Sequence, residues 1–270
     1  MRRFFSLVFS LAVLGFIAYV GYSMFSAWLN PTPVEVPVED GRPVISVTQP
    51  AITPWSKKID NSGYDISSPQ CKTTYPTASV GFAIVGLNYG RPFTKNPCIK
   101  SELKWARNHD GYAIYINMAD PGSGSATRYG QRIAADTIAR LHTLGVPTSV
   151  PIWLDIETNN SWTDSSRSVQ VITETMTVLA AAGHPVGIYS VPVHWFEITM
   201  NATIKTPTWL ALGAYTKVDR AVSDAKAACL DVSFGNQTPS IIQFVTTKNG
   251  RALDHNYMCG APDGLVAPGN

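Results

Sequence analysis

Charged residues are scarce in this chain. They make up 15% of its 270 residues and leave a formal net charge of +2. No dense run of lysine and arginine occurs, so the sequence offers no electrostatic surface for holding a phosphate backbone. We therefore expect no nucleic-acid partner.

Motifs that hold metals or activate a serine are also missing. The four cysteines form no Cys-x-x-Cys pair, and the five histidines show neither His-x-His nor His-Glu-x-x-His spacing. No Gly-x-Ser-x-Gly elbow occurs, and the glycine-rich stretch at 121–125 lacks the Lys-Ser/Thr ending of a phosphate-binding loop. We expect no metal and no cofactor.

A long uncharged segment follows two arginines at the start of the chain. After Arg2 and Arg3, the sequence is rich in apolar residues as far as Trp28. A stretch of about 20 to 25 residues can span a bilayer and is longer than the apolar part of a cleavable signal peptide. Arginines ahead of the span favour a cytoplasmic N-terminus. We predict a single-pass membrane anchor at 1–28, with a signal sequence as the alternative, and a cell-membrane protein whose remainder is extracytoplasmic.

Proline is concentrated in the next segment, residues 29–59. Prolines prevent regular helix and disfavour a central strand, so we predict a spacer here, followed by one domain at 60–270. The prolines are Pro31, Pro33, Pro37, Pro43, Pro50 and Pro54.

Beyond the spacer, short apolar runs alternate with amphipathic stretches of helix length. This alternation is typical of β/α units and a mainly parallel sheet. Roughly eight strand candidates indicate an α/β fold, an irregular (β/α)8 TIM-type barrel, with a doubly wound open sheet as the alternative. The predicted strands are 63–67, 81–88, 112–117, 151–156, 186–190, 209–213, 241–245 and 253–256, and the predicted helices are 100–108, 129–144, 166–182 and 219–229.

All four cysteines lie in the part assigned to the outer compartment, where disulfides form and persist. Three pairings are possible. We favour Cys71 with Cys98 and Cys229 with Cys259, because each pair then joins segments that flank neighbouring strands of the predicted barrel.

Two acids end one apolar strand, which reads Pro151-Ile-Trp-Leu-Asp-Ile-Glu157. Side chains alternate along a strand, so Asp155 and Glu157 share a face with Cα atoms about 6 to 7 Å apart. In a barrel, that face opens into the mouth where barrel enzymes carry their chemistry. Glycoside hydrolysis needs a protonated and an ionised carboxyl, and close like charges raise one pKa. We assign Glu157 as the proton donor; the alternative is a solvated strand end.

Two further acids lie on the first and last predicted strands. These strands are neighbours in a closed barrel, so Asp65 and Asp254 are both expected to reach the same mouth. The alternative is that each forms a local turn, which aspartate favours.

The order of these motifs resembles glycoside hydrolase family 25, the muramidases. Tyr64-Asp-Ile-Ser-Ser-Pro-Gln70 is similar to the opening of that family, Leu154-Asp-Ile-Glu157 to its Asp-x-Glu strand, and Gly187-Ile-Tyr-Ser190 to its tyrosine strand. The match continues in the same order through Trp209-Leu-Ala211, Gln243-Phe244 and Asp254-His-Asn256.

The resemblance implies a barrel that cleaves the β-1,4 bond after N-acetylmuramic acid in peptidoglycan. It suggests Glu157 as general acid, and Asp155, Asp65 and Asp254 as groups that orient the substrate's acetamido group or water. That acetamido group can itself act as nucleophile in some glycosidases. The resemblance implies Tyr115, Tyr189 and Trp209 as sugar-stacking walls, with core packing as the alternative for these rings. We further predict that Asn88, Asn117 and Gln243 bind the substrate.

Two stretches depart from the family pattern. Residues 85–98 replace an acidic Glu-Gly segment, and Tyr115-Ile-Asn117 replaces Tyr-His-Phe. They resemble an actinobacterial branch of glycoside-hydrolase-like domains of unestablished activity. Two functions therefore stay open, a cell-wall hydrolase and a non-catalytic envelope protein that binds glycan or organises the wall, and we expect a monomer with cell-wall glycan as partner.

Overall fold

Short strands and five helices make up the computed structural model, which describes residues 32–77, 79–248 and 250–269. The helices in this part of the chain are α1 (Ile99–Ala106), α2 (Ala126–Thr143), α3 (Ser165–Ala181), α4 (Pro192–Thr199) and α5 (Val218–Ala228). The strands are β1 (Val38–Glu39), β2 (Arg42–Ile45), β3 (Ser62–Ile66), β4 (Phe82–Gly86), β5 (Gly111–Asn117), β6 (Ile152–Asp155), β7 (Val186–Ser190), β8 (Thr203–Ile204), β9 (Thr208–Tyr215), β10 (Ile241–Lys248), β11 (Arg251–Met258) and β12 (Ala267–Pro268).

Eight of these strands close into a barrel. Strands β3, β4, β5, β6, β7, β9 and β10 pair side by side in parallel, and β11 runs antiparallel to both β10 and β3. All eight predicted strands are confirmed. Because β11 pairs with β3, the ring of eight strands is closed, and the doubly wound alternative is excluded.

The barrel is irregular because some connections are too short for a helix. A 3-10 turn at Ser68–Lys72 lies between β3 and β4, and the consecutive strands β10 and β11 pair directly with each other. The four predicted helices are confirmed as α1, α2, α3 and α5. Helix α4 was not predicted because most of its residues are apolar, so it lacks the alternation of apolar and polar faces that marks α1, a helix of the same length.

Part of the predicted spacer packs on the barrel domain. Strands β1 and β2 form a hairpin that pairs with β8, and Ile45 is fully buried. Both turn residues, Asp40 and Gly41, have positive φ, as a two-residue hairpin loop requires. The Asp-Gly pair was the overlooked signal for this hairpin.

The predicted anchor or signal segment at 1–28 lies outside the described residues. Within the described part of the chain, none of the helices is sufficiently long and apolar to cross a membrane.

Apolar side chains fill two layers, because successive residues of a barrel strand point inward and outward in turn. Ile84, Trp153 and Trp209 belong to the inner cluster. Their neighbours Val85 and Leu154 belong to the cluster beneath the helices. The inner layer carries the strand face on which the acids lie.

Both favoured disulfides are present. Cys71 and Cys98 join the turn after β3 to the start of α1, and Cys229 and Cys259 join the end of α5 to the end of β11. Each bond ties a helix to the region where the first and last barrel strands meet.

Candidate active site

A pocket of about 310 Å³ opens at the carboxyl ends of the parallel strands. This volume is at the lower end of the range for small-molecule sites. Nine of the ten predicted catalytic and binding residues line it, all except Asn88. The lining residues are Asp65, Tyr115, Asn117, Asp155, Glu157, Tyr189, Trp209, Gln243, Val245 and Asp254.

A larger cavity of about 930 Å³ lies elsewhere, on the outer face of the last strands. Its lining residues, which include Phe244, Thr246 and His255, contain none of the four predicted catalytic acids. The smaller pocket is therefore the candidate active site, because it alone of the two gathers those acids.

Asp65 and Asp254 face each other across the closure of the barrel. They are direct partners in the register of β3 and β11. Burial raises the pKa of Asp65, and the charge of Asp254 raises it further. Burial also raises the pKa of Asp254, to about 6. Neither acid is in a solvated turn, the alternative considered from the sequence.

Two amides hold the carboxyl of Asp65. Gln243 Nε2 and Asn256 Nδ2 both donate to its Oδ2, at 2.9 and 2.8 Å. The amide oxygens in turn accept from Tyr189 OH at 2.9 Å and from Trp209 Nε1 at 2.8 Å. The orientation of each amide is thus determined at both of its ends.

Asn256 belongs to this network, although it was not among the predicted site residues. It is 2% exposed and lies two residues after Asp254, on the same face of β11. That spacing, identical to the spacing of Asp155 and Glu157, is the signal that could have identified it.

Asp155 and Glu157 form the second acidic pair. Asp155 ends β6 and is 5% exposed, whereas the side chain of Glu157 is 22% exposed. Burial raises the pKa of Asp155, with further contributions from the carboxylates of Glu157 and Asp65 and from a hydrogen bond to Glu157. Asp155 therefore holds its proton more firmly than a solvated carboxyl does.

The neighbouring strand β5 supports Asp155. Asn117 is its partner in the register and donates from Nδ2 to Asp155 Oδ2. Asn88 does not line the pocket. Its side-chain amide forms two hydrogen bonds with the backbone of Asn117, donating to the carbonyl at 2.9 Å and accepting from the N–H at 3.0 Å. Asn88 thus acts on the site through Asn117.

Trp209 lies at the floor of the pocket and is 2% exposed. Its ring makes edge contacts with Tyr115, Trp153 and Tyr189 at centroid distances of 6.2, 5.9 and 4.6 Å. These contacts show that Trp209 is packed in the core, the alternative to a sugar-stacking role that the sequence left open. Tyr115 and Tyr189 are half-buried and face the pocket, so they form its aromatic wall.

Two further residues near Glu157 were not predicted. Trp162 Nε1 donates to the carbonyl of Glu157 at 2.8 Å. His194, on the unpredicted helix α4, has Nδ1 at 3.8 Å from Glu157 Oε1. Neither lies in a recognisable motif, so the fold alone brings them to the acid.

A buried ion pair holds the loop between β5 and α2. Arg167 Nε donates to Asp120 Oδ2 at 2.7 Å, and its Nη atoms donate to the carbonyls of Gly124 and Ser123 at 2.7 and 3.0 Å. The glycine-rich stretch that we considered as a phosphate loop is thus a clamped connection on the mouth side of the barrel.

The four acids supply a proton and negative charge to the mouth. Among residues 32–77, 79–248 and 250–269, no group of histidine, cysteine, aspartate and glutamate is arranged to hold a metal ion. The chemistry that these residues support by themselves is proton transfer combined with stabilisation of positive charge.

Replacement of Asp254 by Asn should reduce the pH dependence of stability. An aspartate with an ordinary pKa of 3.8 releases its proton in the unfolded chain, while folded Asp254 keeps its proton up to about pH 6. Stability conferred by this group is therefore complete below pH 3.8 and is lost as pH rises through 6. Denaturant unfolding at pH 4 and pH 7 measures how much the free energy of unfolding decreases between these pH values. We expect this decrease to be up to about 3 kcal/mol smaller in Asp254→Asn than in the native protein.

Asp231 is exposed and provides the matched control. Asp231→Asn should leave the difference between the two pH values unchanged. Equal losses in the native protein and Asp254→Asn would contradict the raised pKa of Asp254.

A family model described as lysozyme-like protein 1 matches residues 94–251, more than half of the chain. The match includes Asp155 and Glu157 but neither Asp65 nor Asp254. Among curated proteins, none matches the chain.

Solved structures with the same fold include a lysozyme, a muramidase and a spore cortex lytic enzyme. A family 25 lysozyme from Aspergillus fumigatus has a TM-score of 0.52 at 16% identity, with 73% of this chain and 92% of that chain covered. The muramidase from Acremonium alcalophilum has a TM-score of 0.51 at 16% identity, with 74% of this chain and 93% of that chain covered. The spore cortex lytic enzyme SleM from Clostridium perfringens has a TM-score of 0.53 at 11% identity, with 75% of this chain and 68% of that chain covered. The predicted family 25 resemblance is confirmed at the level of the fold.

Other matched structures are longer than the region they share with this chain. The alignment spans 66% of the CTP1L endolysin and 52% of the modular autolysin LytC from Streptococcus pneumoniae. At these identities the likeness concerns the barrel fold.

Proposed function

Because the chain belongs to the lysozyme-like protein 1 family, we propose that it is a glycoside hydrolase that cleaves a β-1,4 bond of peptidoglycan. The observation that carries the proposal is the pocket at the barrel mouth, which gathers Asp65, Asp155, Glu157 and Asp254. Proteins with this fold include a muramidase and a lysozyme by their names.

Glu157 is the proton donor in this proposal. Its side chain is 22% exposed, whereas Asp155 is 5% exposed, so its carboxyl can approach a glycosidic oxygen. Asp155 is buried and has a raised pKa, so it keeps a proton of its own. Once Glu157 has given its separate proton to the glycosidic oxygen, the hydroxyl of Asp155 can donate to the carboxylate that remains. Proton transfer from a positioned acid of this kind accelerates bond cleavage.

Asp65 and Asp254 act on the other side of the pocket. An oxocarbenium-like transition state carries positive charge, which a nearby carboxylate stabilises. The amides of Gln243 and Asn256 favour the charged form of Asp65, in opposition to its burial. We assign this pair to orienting the acetamido group or water, with Tyr115 and Tyr189 against the sugar ring.

The location proposed for this activity is the outer side of a cell membrane. Residues 1–28 carry two arginines and then a long uncharged stretch, and the chain forms two disulfides. Disulfides persist in oxidising compartments outside the cytoplasm. Separation of membrane and soluble fractions, followed by protease treatment of intact cells, tests both the anchor and the side on which the domain lies.

The activity is tested with the full-length protein and purified peptidoglycan. We expect new reducing ends to appear with time, and mass spectrometry of the fragments identifies the sugar at the new end. The absence of new reducing ends over the pH range in which the protein stays folded would reject a hydrolase.

A non-catalytic glycan-binding protein is the second candidate. The observation that favours it is that side-chain amides already donate hydrogen bonds to two of the acids. Asn117 donates to Asp155, and both Gln243 and Asn256 donate to Asp65. Sedimentation with insoluble peptidoglycan distinguishes the two functions, because this candidate predicts binding without release of reducing ends.

A further inference from the structure

A histidine that the sequence did not identify faces the proposed proton donor. His194 is in the first turn of α4, with Nδ1 at 3.8 Å from Glu157 Oε1. The side chains are 28% and 22% exposed. The two groups therefore meet in a partly desolvated position, where a contact between them is less screened than on the open surface.

Nδ1 of His194 is buried and has no hydrogen-bond partner among the described residues. An unsatisfied buried polar atom costs about 1 to 3 kcal/mol, so a movement that gives it a partner is favoured. The 3.8 Å separation exceeds a hydrogen bond by about 1 Å. Catalytic hydrogen bonds are often long in the free enzyme and shorten when substrate binds.

The backbone on both sides of this contact is held in place. Trp195, next to His194, is fully buried and donates from Nε1 to the carbonyl of Ala202 at 2.8 Å. On the other side, Trp162 donates to the carbonyl of Glu157 at 2.8 Å. With the backbone anchored on both sides, side-chain rotation is the movement by which we expect His194 and Glu157 to reach hydrogen-bond distance.

We propose that His194 is a positioning residue that donates from Nδ1 to the carboxyl of Glu157 and holds that carboxyl towards the glycosidic oxygen. Glu157 has three side-chain torsions, and a misdirected carboxyl cannot deliver its proton. The catalytic consequence rests on the proposed hydrolase function, whereas the contact itself does not.

Steady-state hydrolysis by two variants tests the positioning role. His194→Phe keeps the volume of the ring without a donor, and we expect kcat to fall about 10- to 100-fold with little change in KM. His194→Asn places an amide N–H near the position of Nδ1, and we expect it to recover most of the loss. The control Val193→Ala, at an exposed position of the same helix, should retain native kcat and KM.

Unfolding curves of the variants exclude a merely structural role. Equal losses of kcat in folded His194→Phe and His194→Asn would overturn the proposal, since only the asparagine keeps a donor. A change confined to KM would overturn it as well, because positioning of the proton donor acts on the chemical step.

The contact is also measured without turnover, by ¹⁵N chemical shifts of the His194 ring. We expect Nδ1 to carry the proton in the native protein, and its resonance to change in Glu157→Leu but not in Glu197→Leu, an exposed acid of the same helix. An unchanged resonance in Glu157→Leu overturns the proposal. If the native protein releases no reducing ends, the hydrolase function fails while this measurement still decides the contact.

Discussion

Replacement of Glu157 by Gln is expected to lower the release of reducing ends from peptidoglycan by about 10²- to 10⁴-fold, the contribution of a positioned general acid. Glutamine has nearly the same shape but cannot deliver a proton. The loss should appear in kcat, because the amide still fills the position beside Asp155 and binding of the glycan changes little. Initial rates at several glycan concentrations separate the two parameters.

The matched control is Glu197→Gln, the same chemical change at an exposed position of α4. It should hydrolyse peptidoglycan at the native rate. Equal rates for the native protein and Glu157→Gln would eliminate Glu157 as the proton donor.

The double variant Asp155→Asn, Glu157→Gln examines whether the two acids act as a unit. Because the charge of Glu157 contributes to the raised pKa of Asp155, the two acids are coupled and their effects should not add: the double variant should be only slightly slower than Glu157→Gln. Additive losses would indicate that each acid acts separately.

Truncation of Trp209 to Ala is expected to reduce the free energy of unfolding by about 3 to 5 kcal/mol, the range for a large core aromatic. Trp209 is 2% exposed and contacts the rings of Tyr115, Trp153 and Tyr189. Its loss leaves a cavity beneath the acids and removes the donor to Asn256. Denaturant unfolding at a fixed pH measures the change.

Trp209→Phe separates packing from hydrogen bonding. It keeps an aromatic ring but leaves the oxygen of Asn256 without the indole donor, so we expect a smaller loss of about 1 to 3 kcal/mol. Phe196 is 52% exposed, and Phe196→Ala should change stability by no more than about 0.5 kcal/mol. A loss below 1 kcal/mol in Trp209→Ala would show that the inner aromatic cluster contributes little.

The strand pattern of the barrel could be predicted because it is encoded locally. Apolar runs such as Phe82–Gly86 are bounded by turn residues, and the same strands appear in the structure within a few residues. Helix α4 escaped prediction because its residues are mostly apolar and show no polar face, whereas the equally short α1 has one. Strands β1 and β2 were hidden by the prolines around them, although Asp40-Gly41 supplied the turn.

The part of the site that could be predicted is the part that depends on the direction of side chains along a single strand. Asp155 and Glu157 share a face by the alternation of a strand, whatever the strand packs against. Asn88 was predicted to bind the substrate, which stays a prediction. In the structure its amide holds the backbone of Asn117, 29 positions away in the chain. Sequence alone cannot distinguish these roles, because both place a polar side chain at the end of a strand.

What the sequence determined by itself was the set of eight strands, the shared face of Asp155 and Glu157, and the disulfide pairs favoured by their order. What the tertiary structure decided was the set of contacts between distant segments: Asp254 opposite Asp65, Asn256 on the carboxyl of Asp65 across a separation of 191 residues, and His194 beside Glu157. The physical reason is that periodicity specifies which way a side chain points relative to its own backbone. Which other side chain it meets depends on how β11 closes against β3 and how α4 packs on the barrel.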